Sequence, residues 1–234
     1  MNNCLVLNYH QIYSSAFKKR SKYCVSKEQF TSQLEFLNSV DRTSFQLTFD
    51  DGFSSDIEVV LPLLNKFGFK GLFFLPLNSE GYLKHKDAYG AALSQGHKIG
   101  AHGVSQRSLR KMFFCEQLDV FKHCKAELEE TFSVEIDRFS LPYGQRNSST
   151  LMASKVAGYK AVYGTKFGFY NSYNLGVIPR LIMKENHRVK YLKRVFSPNQ
   201  FSHEFIKIRT GLKGLITENV TPEIVFRIQN SLGL

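Results

Sequence analysis

Residues 45–75 read FQLTFDDGFSSDIEVVLPLLNKFGFKGLFFL. This stretch begins with an apolar run that has the composition of a buried β-strand, and it ends with a second such run at 71–75. Between the two runs, apolar residues recur at the spacing of one helix face: Ile57, Val60, Leu61, Leu64 and Phe67. Gly68 is placed to end this helix. A strand, a helix and a strand in this order predict a parallel βαβ unit.

The same alternation continues along the chain. Strands are predicted at 5–9, 45–49, 71–75, 98–101, 138–141, 160–163 and 177–182. Helices are predicted at 27–40, 56–67, 88–95, 114–132 and 148–157. Seven strand candidates separated by helices predict an α/β fold, a barrel of βα repeats. No internal repeat or linker divides the chain, so we expect a single domain over 1–234, with its motifs within 5–183 and a helical extension over 199–234.

Composition excludes several classes of protein. The chain has 234 residues, of which 43% are apolar, too many for a disordered or collagen-like protein. The longest apolar stretch, 68–77, is interrupted by Lys70 and is shorter than the roughly 20 residues of a transmembrane helix. The first residues lead directly into a strand without a signal-peptide pattern, so we expect a cytoplasmic protein. The four cysteines form no CxxC pair and are expected to be buried, small apolar side chains.

The formal net charge of +11 favours an anionic partner. The candidates with negative charge are nucleic acid, a phosphorylated sugar, a lipid diphosphate and a membrane surface. Basic residues concentrate at 18–22 and 188–194, but neither run has an RNA-binding aromatic signature or zinc-finger spacing beside it. We therefore expect no specific nucleic-acid binding, while peripheral contact with an anionic membrane surface stays open.

Polar residues that could take part in catalysis follow three of the predicted strands. Asp50 and Asp51 end the strand at 45–49, His102 follows the strand at 98–101, and a Pro-Tyr-Gly segment follows the strand at 138–141. In a βα barrel, active sites gather at the carboxyl ends of the strands, where two acids can act separately as metal ligand and general base. Taken singly, the Asp-Asp-Gly segment could be a turn with a helix cap, and His102 could be a packed core histidine.

Together, these segments resemble the NodB-type polysaccharide deacetylases, carbohydrate esterase family 4. The shared motifs are TFDDG at 48–52, the histidine at 102 and PYG at 142–144, and the resemblance runs from the first strand to about Arg180. Tyr9-His10-Gln11-Ile12 is also similar to the YHxI opening of the subgroup that acts on poly-N-acetylglucosamine.

The resemblance implies a deformed (β/α)7-type barrel that hydrolyses N-acetyl groups of hexosamines. One divalent metal ion, zinc with cobalt or nickel as alternatives, would be held by an Asp and two His. Asp51 and His102 match two of these ligands, and Asp50 matches the general base that takes a proton from a metal-activated water.

Further residues take their implied roles from the same resemblance. The backbone N–H of Tyr143 matches the oxyanion donor, and Pro142 and Gly144 flank it on the substrate side. Arg180 stands where the subgroup has an arginine that orients the base through charge-assisted hydrogen bonds. A surface salt bridge is the alternative for Arg180.

One position departs from the family pattern. The second histidine of the HxxxH motif should stand at 106, but the residue there is Gln106, whose amide oxygen is a weak neutral ligand. The metal site could be retuned, a third ligand could come from elsewhere, or catalysis could be lost. His10 is the best candidate for a recruited ligand. It could instead bind substrate or protonate the leaving amine.

Three functions therefore remain open. The first is a metal-dependent hydrolase that removes an acetyl or other small acyl group from an amino sugar, which could be a nucleotide-linked or lipid-diphosphate-linked precursor of a surface polysaccharide. The second is a catalytically silent barrel that still binds carbohydrate. The third is a peripheral membrane or nucleic-acid binder. The retained pair of Asp50 and Asp51 favours activity, because adjacent carboxylates repel each other when no cation neutralises them.

Overall fold

The structure is a computed structural model that describes residues 4–18, 21–170 and 176–197. The strands are β1 (Leu5–Tyr9), β2 (Ile12–Tyr13), β3 (Val25–Ser26), β4 (Phe45–Asp50), β5 (Gly71–Leu75), β6 (Lys98–Ala101), β7 (Arg138–Ser140), β8 (Ala161–Tyr163), β9 (Val177–Ile178) and β10 (Leu181–Ile182). The α-helices are α1 (Lys27–Leu37), α2 (Leu61–Phe67), α3 (Glu80–Lys84), α4 (Lys86–Ser94), α5 (Phe114–Phe132), α6 (Thr150–Val156) and α7 (Val189–Val195). A π-helical segment, Asp56–Val60, precedes α2.

Eight strands form one parallel sheet in the order β10-β1-β4-β5-β6-β7-β8-β9. The two edge strands, β9 and β10, are separated along the chain by Pro179 and Arg180 alone. Because so short a connection cannot cross an open eight-stranded sheet, the sheet must curl until its edges approach each other. This confirms the predicted α/β fold and its deformed-barrel architecture.

The strand register sorts the side chains into two layers. Asn8 pairs with Thr48, and Asp50 pairs with Phe74, so these residues face the same side of the sheet. That side is the barrel interior, and its small apolar cluster consists of Val6, Leu72, Phe74, Tyr163 and Ile178. The opposite side carries a much larger core between the sheet and the helices, with Phe30, Phe49, Phe73, Phe121 and Phe139 among its members. The polar interior residues therefore stand above a thin apolar floor.

Two predicted elements are divided in the structure. The predicted strand at 177–182 is wrong as one element, since β9 and β10 lie at opposite edges of the sheet. Pro179 has no N–H to donate to a ladder, and Arg180 turns into the barrel, so neither residue continues a strand. The predicted helix at 56–67 is π-helical up to Val60 and α-helical from Leu61 onward. Pro62, in the first turn of α2, cannot donate the hydrogen bond that would join the two parts as one α-helix.

Other differences are local. The short parallel pair of β2 and β3, and helix α3, were not predicted. The basic run at 188–194 lies largely in α7, which packs on α1 and buries Leu192 and Val195. Cys24 and Cys124 are buried as predicted, but Cys4 is half-buried and Cys115 is exposed, so the prediction is wrong for Cys115 and holds only in part for Cys4. The predicted helical extension at 199–234 lies outside the described residues.

Within the described ranges, no helix is long and apolar enough to cross a membrane.

Candidate active site

Five residues at or just beyond the carboxyl ends of parallel strands form one polar site. Asp50 ends β4, His10 directly follows β1, and His102 directly follows β6. Tyr143 lies just beyond β7, and Arg180 follows β9. Because the strands are parallel, these ends meet at the same mouth of the barrel.

Asp50 and Arg180 form a buried bidentate ion pair. Nη1 of Arg180 donates to Oδ1 of Asp50 at 2.8 Å, and Nη2 donates to Oδ2 at 2.7 Å. The arginine is 0% exposed and the aspartate 2%. Such a two-pronged contact fixes both the position and the plane of the carboxylate.

Arg180 is itself held on every side. Its Nε donates to the carbonyl oxygen of Gly164 at 2.7 Å, and Nη2 donates to Oγ of Ser140 at 2.8 Å. The guanidinium also stands over the rings of Phe74 and Tyr163, at 5.5 and 5.8 Å from their centroids. The predicted alternative, a surface salt bridge, is therefore wrong for this arginine.

Two more side chains donate to Asp50. Ser140 Oγ and Asn8 Nδ2 both donate to Oδ2, at 3.0 and 3.2 Å. Burial by itself would raise the pKa of Asp50, but the charge of Arg180 and its hydrogen bonds outweigh burial and hold that pKa well below its ordinary value. Asp50 is therefore an ionised carboxylate at any physiological pH.

Asp51 has a strained backbone and faces His102. Its φ of 79° lies in the left-handed region, which is uncommon for a residue other than glycine, and Gly52 follows with φ of 57°. This turn directs Asp51 Oδ1 to 3.2 Å from Nε2 of His102. On the other side of the ring, Nδ1 lies 2.8 Å from the carbonyl oxygen of Ser140. Since a carbonyl only accepts, Nδ1 carries a proton, and Nε2 is the ring atom that faces Asp51, at hydrogen-bond distance from its carboxylate.

The surroundings of His102 attract positive charge. Burial alone would lower the pKa of this imidazole, but the carboxylates of Asp50 and Asp51 outweigh burial and raise it. In its neutral form, with the proton on Nδ1, this ring would offer the Nε2 lone pair beside the Asp51 oxygen, and that donor set suits a divalent cation. Asp51 and His102 thus fit the implied metal as two of its ligands.

Gln106 lies beside Asp51. Its Nε2 donates to Asp51 Oδ1, the same oxygen that faces His102. The phenol of Tyr143 donates to the backbone carbonyl of Gln106 at 3.2 Å, which links this loop to the segment after β7. An amide nitrogen only donates hydrogen bonds, so a metal contact from Gln106 would have to come from its Oε1.

His10 lies in the same mouth. Its ring stacks on Tyr23, with centroids 5.6 Å apart, and its Nδ1 is buried without a hydrogen-bond partner. Burial lowers the pKa of His10, against the opposing charges of Asp51 and Asp50. Within the described part of the chain, no three His, Cys, Asp or Glu side chains form a group that could hold a metal ion. The structure therefore does not bring His10 together with Asp51 and His102 as a ligand set.

The Pro-Tyr-Gly segment presents a backbone N–H at the mouth. Pro142 is buried, Tyr143 has a left-handed φ of 58°, and Gly144 follows with φ of 66°. A Cβ at Gly144 would lie 2.0 Å from Oγ1 of Thr165, so a side chain there would clash. No protein acceptor for the Tyr143 N–H is found among the described residues. This N–H is consequently available to a ligand.

Sequence reasoning missed the supporting residues. Asn8 and Ser140 both hold Asp50. Their signal was available, because Asn8 is a polar residue inside the apolar strand β1, and Ser140 stands between the apolar residues Phe139 and Leu141. Asp56 was also missed. It is fully buried in the π-helical segment, where Tyr89 Oη donates to its Oδ2 at 3.3 Å and its Oδ1 has no partner. Burial raises the pKa of Asp56 well above its ordinary value.

A parallel βα barrel whose mouth holds an oriented carboxylate beside a carboxylate–imidazole pair has the architecture of a barrel hydrolase with an acid–base site. Comparison with known proteins narrows this class. The family model described as "Polysaccharide deacetylase" matches residues 38–162, more than half of the chain. The chain belongs to the polysaccharide deacetylase family. This confirms the family predicted from the motifs. It also confirms the predicted class of enzyme, a carbohydrate deacetylase.

Individual relatives agree with the family. YxkH of Bacillus subtilis is 26% identical over 124 residues, which are 52% of this chain and 44% of that protein, so the match spans less than half of YxkH. The poly-beta-1,6-N-acetyl-D-glucosamine N-deacetylase of Staphylococcus aureus is 24% identical over 241 aligned positions, covering 82% of this chain and 83% of that protein. Among solved structures, the Streptococcus pyogenes deacetylase PplD, in complex with acetate, has a TM-score of 0.74 at 18% identity and covers 84% of this chain and 99% of its own. IcaB from Ammonifex degensii has a TM-score of 0.69 at 18% identity, covering 80% and 94%. These two solved structures have the same fold as this chain.

Proposed function

We propose that this protein is a divalent-metal-dependent hydrolase that removes an N-acetyl or other small acyl group from an amino sugar of a surface polysaccharide or of its precursor. The observation that carries the proposal is the position of Asp50, an ionised and fully oriented carboxylate next to the Asp51–His102 pair. The Staphylococcus aureus relative, by its name, deacetylates an N-acetylglucosamine polymer, and this supports an acetylated amino sugar as the substrate.

Asp51 Oδ1 and His102 Nε2 would hold the metal, with zinc as the expected ion and cobalt or nickel as alternatives. A divalent cation bound there supplies positive charge that lowers the pKa of water and polarises an acetamide carbonyl. The third protein ligand would be Gln106 Oε1.

Asp50 would act as general base through one particular oxygen. Its Oδ2 accepts three hydrogen bonds, from Arg180, Ser140 and Asn8, whereas Oδ1 accepts one, from Arg180. Because each carboxylate oxygen has two lone pairs, Oδ1 is the oxygen with capacity for a proton from the attacking water. Arg180 lowers the proton affinity of Asp50, so the contribution of this base rests on orientation more than on basicity.

The backbone N–H of Tyr143 would stabilise the oxyanion that forms when the acetamide carbonyl is attacked. Its left-handed backbone directs this N–H away from protein acceptors, and Gly144 permits the turn that presents it. Pro142 fixes the start of this turn. The unpartnered Nδ1 of His10 supports a role in hydrogen bonding to the substrate.

We also infer a phosphate-bearing substrate, such as a nucleotide-linked or lipid-diphosphate-linked sugar in the cytoplasm. The net charge of +11 supports this choice, because it would raise the local concentration of an anionic precursor.

Metal content and turnover together test the proposal. Purified protein should contain about one metal ion per chain and release acetate from an acetylated amino sugar. Asp50→Asn should lower kcat about 10²- to 10⁴-fold and leave metal content unchanged, whereas Asp51→Asn should lose the metal. Loss of metal from Asp50→Asn would mean that the two aspartates have the opposite roles. A metal-free protein, even after incubation with zinc, cobalt or nickel, would overturn the proposal.

A second candidate function is a catalytically silent barrel that binds carbohydrate. The observation in its favour is Gln106, which replaces a histidine ligand and donates to Asp51. A silent barrel would bind N-acetylglucosamine oligomers equally well with and without a chelator and would release no acetate.

A further inference from the structure

The loop between β6 and α5 exposes large apolar side chains. Its residues 107–114 read RSLRKMFF. Phe113 is 78% exposed and Phe114 is 40% exposed, and Phe113 is the most exposed large apolar side chain in the described ranges. Two adjacent exposed phenylalanines form an apolar patch of the kind that marks a contact site for a partner or a membrane.

The backbone of this loop is fixed. Nδ2 of Asn147 donates to the carbonyl oxygens of Arg110 and Met112 at 3.1 and 2.9 Å, and Nε2 of Gln117 also donates to Met112 at 2.8 Å. The N–H of Phe113 donates to Oε2 of Glu116 at 2.6 Å. These hydrogen bonds fix the conformation of the loop, and the exposed position of Phe113 is part of that fixed conformation.

The stretch that leads to these phenylalanines is basic. Arg107, Arg110 and Lys111 are all exposed, and the whole stretch from His102 to Cys115 contains no acidic residue. The first acid, Glu116, caps the start of α5 through the N–H of Phe113. Aromatic side chains flanked by Lys and Arg are complementary to the headgroup region of an anionic membrane, where the rings enter the acyl boundary and the cations contact lipid phosphates.

The loop also adjoins the candidate active site. It leaves the carboxyl end of β6 through His102 and Gln106, and Asn147, which fixes its far end, follows the Pro-Tyr-Gly segment. Phe113 and the mouth of the barrel consequently lie on the same end of the molecule.

We propose that residues 107–114 form a docking surface for an anionic phospholipid membrane, with Phe113 and Phe114 inserted and Arg107, Arg110 and Lys111 on the headgroups. Docking there would place the mouth of the barrel beside the membrane surface, where a lipid-linked substrate is presented. This proposal concerns a membrane-binding surface and does not depend on whether the barrel catalyses deacetylation.

The absence of tryptophan from the chain allows a direct test. Phe113→Trp introduces a single tryptophan, whose emission should shift to shorter wavelength when phosphatidylserine-containing phosphatidylcholine vesicles are added. Val156→Trp is the matched control, because Val156 is also exposed, at 55%, but is the last residue of α6, which leads to the amino end of β8, opposite the mouth. Its emission should not shift.

Vesicle sedimentation measures the strength of the contact. Phe113→Ser should weaken binding to phosphatidylserine vesicles about tenfold. Each of Arg110→Gln and Lys111→Gln should weaken it about fivefold. Lys98→Gln should leave it unchanged, because Lys98 is exposed at the amino end of β6, the end opposite the mouth. Binding should also fall steeply with salt.

Two results would overturn the proposal. One is vesicle binding that is absent, or equal for wild type and Phe113→Ser, in variants whose thermal unfolding matches that of the wild type. The other is a loss of affinity for N-acetylglucosamine oligomers in Phe113→Ser without any vesicle binding, which would assign this surface to glycan. Acetate release assayed on a soluble acetylated sugar is a separate readout, so failure of membrane docking and failure of the deacetylase proposal can be told apart.

Discussion

The two aspartates of the mouth, adjacent in sequence, lie in opposite environments. Asp50 is 2% exposed, and its oxygens accept four hydrogen bonds, two of them from a fully buried arginine. Asp51 stands in a strained turn, and the contacts found for its carboxylate, from His102 and from the exposed Gln106, fall on one oxygen, Oδ1.

The difference shows that the polypeptide alone completes the surroundings of Asp50, whereas a ligand is needed to complete those of Asp51. Around Asp50, charge and hydrogen bonding are balanced within the chain, so folding alone produces the oriented carboxylate. Around Asp51, negative charge is left concentrated, and the raised pKa of His102 reports the same attraction for a cation. Strain and incomplete pairing thus lie where a ligand is expected to bind.

The largest effect should come from breaking the Asp50 side. Arg180→Met leaves a buried carboxylate without its counter-ion, and we expect the free energy of unfolding to fall by about 3–5 kcal/mol. Urea denaturation followed by circular dichroism measures this loss. As a control, Lys160→Met breaks the exposed pair with Glu135 and should leave the urea midpoint unchanged. Equal midpoints for all three proteins would show that the buried pair does not stabilise the fold.

A smaller effect should come from completing the Asp51 side. Gln106→His supplies an imidazole where the amide now donates to Asp51, and we expect zinc to bind about tenfold more tightly or better. Isothermal titration calorimetry with zinc, and the visible spectrum with cobalt, measure the change. Gln95→His, at the end of α4 and away from the mouth, controls for an added histidine. Unchanged zinc affinity in Gln106→His would show that position 106 does not contact the metal.

The smallest effect is a difference in pH dependence between two buried acids. The pKa of Asp50 is lowered in the folded protein, so the unfolded chain binds its proton more readily. The stability that Asp50 contributes is therefore present above the ordinary carboxyl pKa of about 4 and is lost as the pH falls below it. The pKa of Asp56 is raised, so its contribution has the opposite sign and is lost as the pH rises above that ordinary value.

Removing each charge isolates these contributions. Compared with wild type, Asp50→Asn should lose less stability between neutral pH and pH 3, whereas Asp56→Asn should gain stability at neutral pH. Urea midpoints measured across this range give both slopes. If Asp56→Asn were destabilised at neutral pH, then Asp56 would be ionised in the folded protein.

The comparison also shows what a sequence can predict here. The strands 5–9, 71–75 and 98–101 were predicted with the bounds that the structure has, because short apolar runs bounded by turns are a local signal. The placement of Asp50, Asp51 and His102 at one mouth followed from parallel strands, since their carboxyl ends share an edge.

What could not be predicted depends on distant pairing. The division of 177–182 into two edge strands depends on barrel closure, and the local β-propensity of these residues conceals it. Asn8 and Ser140 become partners of Asp50 only through the register of separate strands. The hydrogen bond from Gln106 to Asp51 depends on the conformation of a loop, which the residue types alone do not specify.

Arg180 also links the order of folding to the assembly of the site. Together with Pro179 it connects the two edge strands, and it lies 130 positions along the chain from its partner Asp50. A contact of such long sequence separation requires a large loop to close before the contact can stabilise anything. The segment that matches the family model, 38–162, is already complete before Arg180 is synthesised. A nascent or truncated chain ending there would therefore contain the family motifs without a paired base, and the oriented Asp50 carboxylate is a sign that the barrel has closed.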